Sequence, residues 1–502
     1  MSEFARLSAE ISDLLNVLNV LNWDARTQMP PGGSATRAQQ SATLSGVVQE
    51  KLLAPAFERA AREALDADPD DRAAQQALAA VTALRRVPEA LTRALAALRG
   101  EAQDVWAQAK ADSDFAAFAP YLKQMVALTR DLADALGYAG HPYDALLNLY
   151  EPGLTTATLT PLLTRLRDHH VPLLRRIQAQ PEPRSDFLTR HYPAAEQRAF
   201  SLDLAQQFGY DLRRGRLDAS AHPFEISFTR EDVRMTTRYQ EGYLPGALFG
   251  TLHETGHAMY EQGVSPTLTR TVLTSDLLGL YAVGVASFGT HESQSRLWEN
   301  RVGRSKAFWQ RHFPGLQGRF PEQLGDVTDA EFHRAVNRVR PSLIRVEADE
   351  LTYDLHIMLR VDLETRLIAG DLDVRDLPDA WNARVKDDLG LDVPDDARGV
   401  LQDIHWSTGY FGSFPTYTVG NVMAGQFYRA ATRALPDLED RLARGEYGPL
   451  REWLTEHIYQ HGRTYTPHEL LVRATGEGLN PEPYLSYLSE KFGELYGLEA
   501  HA

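Results

Sequence analysis

Two histidines and a glutamate lie close together in "LFGTLHETGHAMYEQ", residues 248–262, where they could bind a metal ion and activate water. A helix turns about 100° per residue, so His253 and His257 would lie roughly 40° apart on one face. Their imidazoles could converge on a single ion, while Glu254 would point to an adjacent flank. This is the H-E-x-x-H pattern, in which the glutamate acts as a base on a metal-bound water.

The same residues could also belong to an ordinary solvated helix face. The chain has 16 histidines in 502 residues. At that frequency, the pattern is expected by chance about 0.04 times in a chain of this length. The spacing therefore favours a metal site, and a helix that carries two histidines by coincidence is the alternative.

A catalytic zinc usually takes three protein ligands and leaves one position for water. Glu261 lies near the two histidines in sequence, but eight residues of helix rise about 12 Å, too far for Glu261 and His253 to share one ion. The third ligand should therefore come from a neighbouring element. Glu292, in the string "HESQSR", is a candidate, and its alternative role is a surface ion pair with Arg296 at i+4.

The composition limits what else the protein can be. The chain is 43% hydrophobic and 24% charged, which is ordinary for a globular protein with a large core. The net charge of −16 argues against nucleic-acid binding, because phosphates require a basic surface. The absence of cysteine excludes Cys-based zinc sites and nucleophiles, and it fits a cytoplasmic protein. The sequence shows neither a signal peptide nor a segment apolar enough to span a membrane.

The elements that must position these residues are predicted to be mainly helices. Residues 7–21 have apolar side chains at helical spacing, and similar segments continue to about residue 210. Between 222 and 239, β-branched and aromatic residues partly alternate around "TRED", which predicts two short strands joined by a turn. An edge strand there could bind an extended peptide beside the metal helix. The Gly- and aromatic-rich segment 405–421 is predicted to be an irregular substrate loop.

Several strings along the chain have a familiar order. They are "WDARTQMPPGG" (23–33), "HPF" (222–224), "DVRMT" (232–236), "HETGH" (253–257), "HESQ" (291–294), "IRVEAD" (344–349) and "GVLQDIHW" (399–406). With these strings the chain resembles the M32 family of metallocarboxypeptidases, the thermostable carboxypeptidase type, nearly from end to end.

The resemblance implies that His253, His257 and Glu292 hold the metal and that Glu254 is catalytic. It also implies a homodimer and a mainly α, zincin-type fold with a long central substrate groove, to which we add the small β-sheet beside the active-site helix. "GVLQDIHW" resembles the family branch whose groove is closed, which favours short peptides. The interval from His257 to Glu292 is longer than in the family pattern.

The resemblance also predicts the domain organisation. Residues 1–502 should form a single peptidase domain. Its helical half, 1–220, should cover the groove, and the other half, 221–502, should carry the metal and substrate motifs.

These parts predict a peptide hydrolase with one zinc ion, or cobalt, in each subunit. The metal would lower the pKa of its bound water, and Glu254 would take a proton as the water attacks the last peptide carbonyl. Candidate donors to the oxyanion are His405, Tyr410 and Tyr417, whose alternative role is loop packing. His222, in the "HPF" string, is a further predicted substrate-binding residue.

An enzyme that removes C-terminal residues must bind a carboxylate, and the two parallel donors of arginine suit this best. Arg345, in "IRVEAD", is the first candidate, and Arg234 is the second. The alternative for Arg345 is an i+4 ion pair with Asp349 on one helix. The alternative for Arg234 is an exposed position on a strand.

Two other functions would use the same residues. A zinc oligoendopeptidase would cleave peptides whether or not their C-terminus is free. A non-catalytic helical peptide-binding protein could keep a structural metal site, although the intact Glu254 argues against it. The prediction that we favour is a metal-dependent carboxypeptidase of broad specificity.

Overall fold

The computed structural model describes residues 2–498, and the chain folds into two compact units that alternate along the sequence. The first unit comprises the residues through Leu84, Pro183–Val336 and Met423–Leu479. The second comprises Arg85–Glu182, Asn337–Val422 and the residues from Asn480 onward. Each unit thus takes residues from both halves of the chain. The single domain with an N-terminal half over the groove stays a prediction.

The protein is mainly helical, as predicted. In chain order the α-helices are α1 Glu3–Thr27, α2 Ser34–Leu53, α3 Pro55–Ala67, α4 Arg72–Arg86, α5 Glu89–Asp112, α6 Phe115–Leu136, α7 Pro142–Tyr150, α8 Thr156–Gln178, α9 Ala194–Phe208, α10 Leu244–Gly263, α11 Phe288–Arg296, α12 Lys306–Arg319, α13 Pro321–Leu324, α14 Asp329–Val336, α15 Tyr353–Ala369, α16 Leu377–Leu389, α17 Pro415–Ala434, α18 Leu438–Ala443, α19 Gly448–His457, α20 Pro467–Thr475 and α21 Glu482–Tyr496. Among the described residues, none of these helices combines the length and apolar composition needed to cross a bilayer.

A small sheet in the first unit packs against α10. Its strands are β1 Gly215–Ala219, β2 Phe224–Thr229 and β3 Asp232–Thr237, in the order β1-β3-β2. The antiparallel pair β2–β3 confirms the two strands predicted around "TRED". Strand β1 was not predicted, because "GRLDA" lacks an apolar alternation and pairs in parallel with β3. The predicted sheet beside the metal-motif helix is therefore present, and β2 is one of its edges.

The N-terminal helix α1 lies along β2 and is fixed there by polar and apolar contacts. The side-chain amide of Asn19 donates to the carbonyl oxygens of Ser227 at 2.7 Å and Ala282 at 2.8 Å. Trp23 is buried in one cluster with apolar side chains of β2. Because Asn19 binds the Ser227 carbonyl, this part of the strand edge is not available to an extended peptide.

The long interval between the metal-motif histidines and Glu292 forms a small hairpin on the N-terminal helices. Its strands are β4 Ser275–Asp276 and β5 Tyr281–Ala282, which pair antiparallel. Leu277 and Ala282 are buried in one apolar cluster with side chains of α1 to α4. The extra length therefore adds to the core of the first unit.

Buried carboxylates hold the helices of the second unit together. Asp354 on α15 accepts hydrogen bonds from Thr418 at 2.7 Å, Asn421 at 2.9 Å and Tyr484 at 2.8 Å. These partners lie on α17 and α21, so one carboxylate joins three helices. A charge buried in this way is tolerated because hydrogen bonds replace its hydration.

A second buried carboxylate, Glu364, holds the aromatic segment after residue 403. It accepts hydrogen bonds from the Tyr143 hydroxyl at 2.6 Å, the Trp406 indole at 2.8 Å and the Gly412 amide at 2.9 Å. The segment is irregular as far as Phe414, as predicted, but residues 415–421 belong to α17. The prediction of a loop was wrong for these residues because α17 begins at Pro415, and a proline is well tolerated in the first turn of a helix.

A close contact between α10 and α11 depends on Gly256. A Cβ atom at this position would lie 2.4 Å from the carbonyl oxygen of Gln294 and 2.7 Å from the Cα atom of Ser295. Both atoms belong to the backbone of α11, and backbone atoms cannot rotate away as a side chain can. Glycine therefore lets the two helices approach at the level of the predicted metal ligands.

Gly256→Ala should push α10 and α11 apart. The overlap involves backbone, so we expect a loss of about 1–3 kcal/mol in the free energy of unfolding, measured by urea titration. The matched control is Gly250→Ala on the same helix, where the added Cβ would meet Thr237 Oγ1 at 3.4 Å. This variant should be neutral or gain up to about 1 kcal/mol, because alanine favours helix. Equal unfolding curves for the two variants would contradict the packing described here.

Candidate metal centre and substrate-binding residues

The structure brings His253, His257 and Glu292 together. One ligand atom from each residue lies within 4.8 Å of the others. The histidines lie on one face of α10, and α11 supplies the glutamate across the contact at Gly256. The arrangement follows the predicted geometry of i and i+4 histidines with a third ligand from a neighbouring element.

The two distances from Glu292 to the histidines are close to those expected at a tetrahedral metal ion. Two atoms bound to the same zinc at about 2.1 Å lie about 3.4 Å from each other. Oε2 of Glu292 lies 3.4 Å from Nε2 of His257 and 3.7 Å from Nε2 of His253. Two imidazoles and one carboxylate are also the donor set of zinc peptidases, which leave a fourth position for water. The residues therefore suit a divalent ion.

Glu299 fixes the orientation of the first histidine. Nδ1 of His253 donates to Oε2 of Glu299 at 3.0 Å, which leaves Nε2 directed at the cluster. Glu299 belongs to a π-helix, Leu297–Val302, that directly continues α11. Burial would raise the pKa of Glu299, but the hydrogen bond from His253 and the charges of two arginines outweigh it and lower the pKa to about 2. Glu299 is therefore ionised and holds the imidazole as a hydrogen-bond acceptor.

Glu292 forms the ion pair that the alternative interpretation predicted, yet it is not a surface residue. Its Oε1 accepts from Nε of Arg296 at 2.7 Å, and the residue is only 7% exposed. Burial would raise its pKa, but the charges of Arg296 and His253 hold the pKa well below the usual range. One carboxylate oxygen is thus bound to arginine, and the other faces the histidines as an anion.

Two further buried groups lie beside the cluster: His291 is next to His257, and Glu225 is in contact with His291. The ring of His291 lies 4.0 Å from that of His257, and its Nε2 is 3.5 Å from a carboxylate oxygen of Glu225 on β2. Burial raises the pKa of Glu225 well above its ordinary value, as does the nearby charge of Glu261. Among the described residues, Nδ1 of His257 is buried without a hydrogen-bond partner.

Glu254 lies beside the ligands and accepts no hydrogen bond within residues 2–498. It is 6% exposed, and burial raises its pKa, although the two histidines oppose the shift. A raised pKa makes a carboxylate a better base near neutral pH. Glu261, which helix geometry argued against as a ligand, instead binds the Gly284 amide with both oxygens at 3.0 Å.

Arg345 belongs to the second unit, where a buried aspartate holds it. Its Nε and Nη2 donate to Oδ1 of Asp403 at 2.9 Å and 2.8 Å, and Nη1 donates to the Tyr353 hydroxyl at 3.0 Å. Oδ2 of the same aspartate binds Arg360, which is fully buried. The alternative pair with Asp349 is wrong, because Asp349 accepts from groups of its own turn and from the Arg340 amide.

The three predicted oxyanion donors also lie in the second unit. The ring of His405 packs at 4.3 Å against Phe414, and burial together with the charge of Arg345 lowers its pKa to about 4. Tyr410 is 47% exposed, and the Tyr417 ring is 5.6 Å from the guanidinium carbon of Arg345. Tyr417 thus lies beside Arg345 and His405 packs against Phe414, whereas Tyr410 is largely exposed.

Arg234 and His222 lie in the first unit. The guanidinium of Arg234 pairs with Asp232 at 2.8 Å. Its central carbon lies 4.5 Å from the centre of the Trp23 ring and 4.6 Å from the centre of the Phe228 ring. The expectation of an exposed strand residue is therefore wrong, because the side chain is packed between aromatic groups. His222 is exposed just before β2.

Glu299 and Asp403, which orient predicted functional residues, were not themselves predicted from the sequence. A metal-bound histidine usually donates a hydrogen bond from its other ring nitrogen to a carboxylate. A second glutamate shortly after the predicted ligand Glu292 could therefore have been predicted as the partner of a ligand histidine. Glu299 lies seven residues further on, or two helical turns. Asp403 stands in "GVLQDIHW", one of the strings quoted above, but no spacing connects it to Arg345.

Comparison with known proteins supports the same assignment. Residues 3–492 match the family model described as Carboxypeptidase Taq (M32) metallopeptidase. The chain is 43% identical over 492 residues to thermostable carboxypeptidase 1 of Thermus thermophilus, covering 95% of this chain and 94% of the relative. It is 38% identical to carboxypeptidase 1 of Bacillus subtilis, with 98% of each chain covered.

A solved structure extends the similarity to the fold. The crystal structure of the M32 carboxypeptidase from Deinococcus radiodurans R1 superposes with a TM-score of 0.95 at 41% identity. The superposition covers 98% of this chain and 99% of that chain. These comparisons favour a carboxypeptidase over an oligoendopeptidase or a non-catalytic binding protein. The chain belongs to the M32 family of metallocarboxypeptidases and is a metal-dependent peptide hydrolase.

Proposed function

We propose that this enzyme removes C-terminal residues from short peptides with one zinc ion, or cobalt, held by His253, His257 and Glu292. The observation that carries the proposal is the convergence of their ligand atoms, with Glu292 at distances from both imidazoles that suit one tetrahedral ion. The donor set itself accommodates zinc as well as cobalt. The homodimer and the cytoplasmic location stay predictions.

Glu254 is the proposed proton carrier. A divalent ion bound at this site would lower the pKa of its water towards neutrality. Glu254 lies next to the ligands, is buried, and has carboxylate oxygens that no described residue occupies. It takes a proton from the attacking water and returns it to the amine that leaves. Its raised pKa suits both steps.

Arg345 is the proposed site for the terminal carboxylate of the peptide. A guanidinium has five N–H donors, and the bonds to Asp403 and Tyr353 use three of them. One donor on each terminal nitrogen remains, which is the pair that can bind a carboxylate in parallel. The bond from Asp403 fixes the plane of the guanidinium before the substrate arrives, and Arg234 is the second candidate.

Glu254→Gln should keep the shape of the site and remove the base. Metal content should persist, while kcat on an N-blocked dipeptide should fall by about 100- to 10,000-fold. The control is Glu322→Gln, which alters an exposed glutamate of the same unit. Activity within tenfold of the wild type would exclude this role for Glu254.

Glu299→Ala should weaken metal binding without removing a ligand. The hydrogen bond to His253 would be lost, and losses of such orienting partners reduce metal affinity by about 10- to 100-fold. Competition with a coloured chelator measures this affinity directly, with Glu322→Ala as the control. Unchanged affinity would show that Glu299 does not orient the ligand.

Arg345→Ala should abolish the preference for a free C-terminus. Truncating a desolvated, charge-assisted contact costs roughly 2–5 kcal/mol, or about 30- to several-thousand-fold in kcat/KM. Arg345→Lys should mainly raise KM, because lysine offers one mobile charge, and metal content should not change in either variant.

The measurement compares steady-state kinetics on an N-blocked dipeptide and on the same peptide amidated at its C-terminus. Arg375→Ala is the control, since Arg375 is an exposed arginine of the second unit paired with Asp373. If Arg345→Ala still prefers the free carboxylate, the assignment is wrong and Arg234 becomes the alternative. An enzyme indifferent to amidation would instead be an endopeptidase.

A further inference from the structure

A relay of four polar side chains in the second unit connects a buried carboxylate to an exposed serine. Oγ of Ser489 on α21 lies 2.7 Å from Nε2 of His169 on α8. Nδ1 of His169 lies 3.4 Å from Nδ1 of His170, whose Nε2 is 3.3 Å from Oδ2 of Asp354 on α15. The proposed metal ligands belong to the first unit, and the mechanism above gives none of these four side chains a role.

Burial decreases along the relay from the carboxylate to the serine. Asp354 and His170 are fully buried, His169 is half-buried, and Ser489 is exposed. Burial would raise the pKa of Asp354, but the hydrogen bonds that it accepts, first that of His170, lower the pKa below its ordinary value. The carboxylate is therefore ionised and only accepts hydrogen bonds, which makes it the fixed end of the relay.

The carboxylate decides which nitrogen of each imidazole carries a proton. His170 donates from Nε2 to Asp354, so Nδ1 of the neutral ring has a lone pair and accepts from Nδ1 of His169. Nε2 of His169 then has no proton, and the Ser489 hydroxyl donates to it. Burial lowers the pKa of His169 to about 4, so its ring is uncharged near neutral pH. The nitrogen beside the serine is thus ready to accept a proton.

His169 alone would be a weak base, because a buried imidazole holds a positive charge poorly. His170 provides a better place for that charge. When Nε2 of His169 takes the serine proton, the proton on its Nδ1 passes to His170, which then lies as a cation beside the ionised Asp354. A nucleophile, a base and a group that orients the base are the parts that activate serine hydroxyls in enzymes, and the relay has one additional imidazole.

We propose that Ser489 is a nucleophile that takes an acyl group from an activated ester, independently of the proposed metal centre. Oγ bonds to the carbonyl carbon, its proton goes to His169, and one electron pair of the C=O bond moves to the carbonyl oxygen. When that pair returns, the C–O bond to the alcohol breaks, and the leaving oxygen takes the proton back from His169. The products are O-acylated Ser489 and the free alcohol.

The position of Ser489 within a helix predicts a lasting adduct and no rapid turnover. Ser489 lies in the middle of α21, where backbone N–H groups bond to carbonyl groups four residues earlier. These donors are not available to stabilise an oxyanion. An activated ester compensates with a good leaving group, whereas the serine ester that forms has a poor one. The acyl group should therefore stay on the protein.

The test follows acetylation of individual residues while the metal-loaded enzyme reacts with p-nitrophenyl acetate. After protease digestion, mass spectrometry measures the acetylated fraction at Ser489 and at Ser486, an exposed serine of the same helix that serves as the internal control. A positioned general base contributes about 100- to 10,000-fold, so Ser489 should react at least about 100-fold faster than Ser486.

Two histidine variants test the relay, and hydrolysis of an N-blocked dipeptide shows that each variant is folded. His169→Gln should slow acetylation of Ser489 to the rate at Ser486. His170→Asn keeps the adjacent base but interrupts the relay, so the rate at Ser489 should fall by at least about tenfold. The matched control is Arg175→Gln, an exposed position further along α8, which should leave the rate unchanged.

The variant Glu254→Gln separates this reaction from the proposed peptidase mechanism. It should lose peptide hydrolysis and still acetylate Ser489 at the wild-type rate. Equal rates at Ser489 and Ser486 in the wild type would overturn the proposal, as would an unchanged rate at Ser489 in either folded histidine variant. Loss of acetylation in Glu254→Gln would also overturn it, because the acyl transfer would then depend on the metal centre.

Discussion

The proposed metal centre depends on how closely two helix backbones approach each other. Gly256 lies between His253 and His257 on one side and the backbone of Gln294 and Ser295 on the other. A Cβ atom here would lie 2.4 Å from the Gln294 carbonyl oxygen, so any larger residue would push the helices apart and move Glu292 away from the imidazoles. Ligand distances near 3.4 Å tolerate little displacement, since metal–ligand bonds vary by only about 0.2 Å. The glycine of "HETGH" is thus as much a part of the site as its ligands.

The protein's own charges keep the proposed ligands in the forms that bind metal. Arg296 holds Glu292 as an anion in spite of burial, and Glu299 binds the proton of His253 on the nitrogen away from the cluster. Both arrangements fix a protonation state before any ion arrives. Burial, by contrast, leaves Glu254 with a raised pKa although the charges of the two histidines oppose the shift. Two neighbouring carboxylates, Glu292 and Glu254, therefore have pKa values shifted in opposite directions. Burial acts on all of them, and the nearby partners decide the outcome.

Much of this site could be predicted from the sequence because its geometry is local. The spacing of His253 and His257 on one helix predicts their shared face, and the two strands after residue 222 show their own alternation. The third ligand could only be proposed, because the contact of α10 with α11 is tertiary. Strand β1 gave no signal for a similar reason: its structure comes from parallel pairing with β3.

The surroundings of the proposed substrate-binding residues were harder to predict. Arg345 and Asp403 lie far apart in sequence, so the nearer Asp349 was the partner that helix spacing indicated. The environment of Arg234 also depends on Trp23, which lies on α1 and is far from Arg234 in sequence.

Anomalous X-ray diffraction from crystals of the purified enzyme, recorded on both sides of the zinc absorption edge, would locate the bound ion. The proposed ligand set predicts one peak in each chain, about 2 Å from Nε2 of His253, Nε2 of His257 and Oε2 of Glu292. If the bound metal is cobalt, the same peak should instead respond at the cobalt edge. A fully active enzyme whose metal lies elsewhere, or is bound without Glu292, would contradict it.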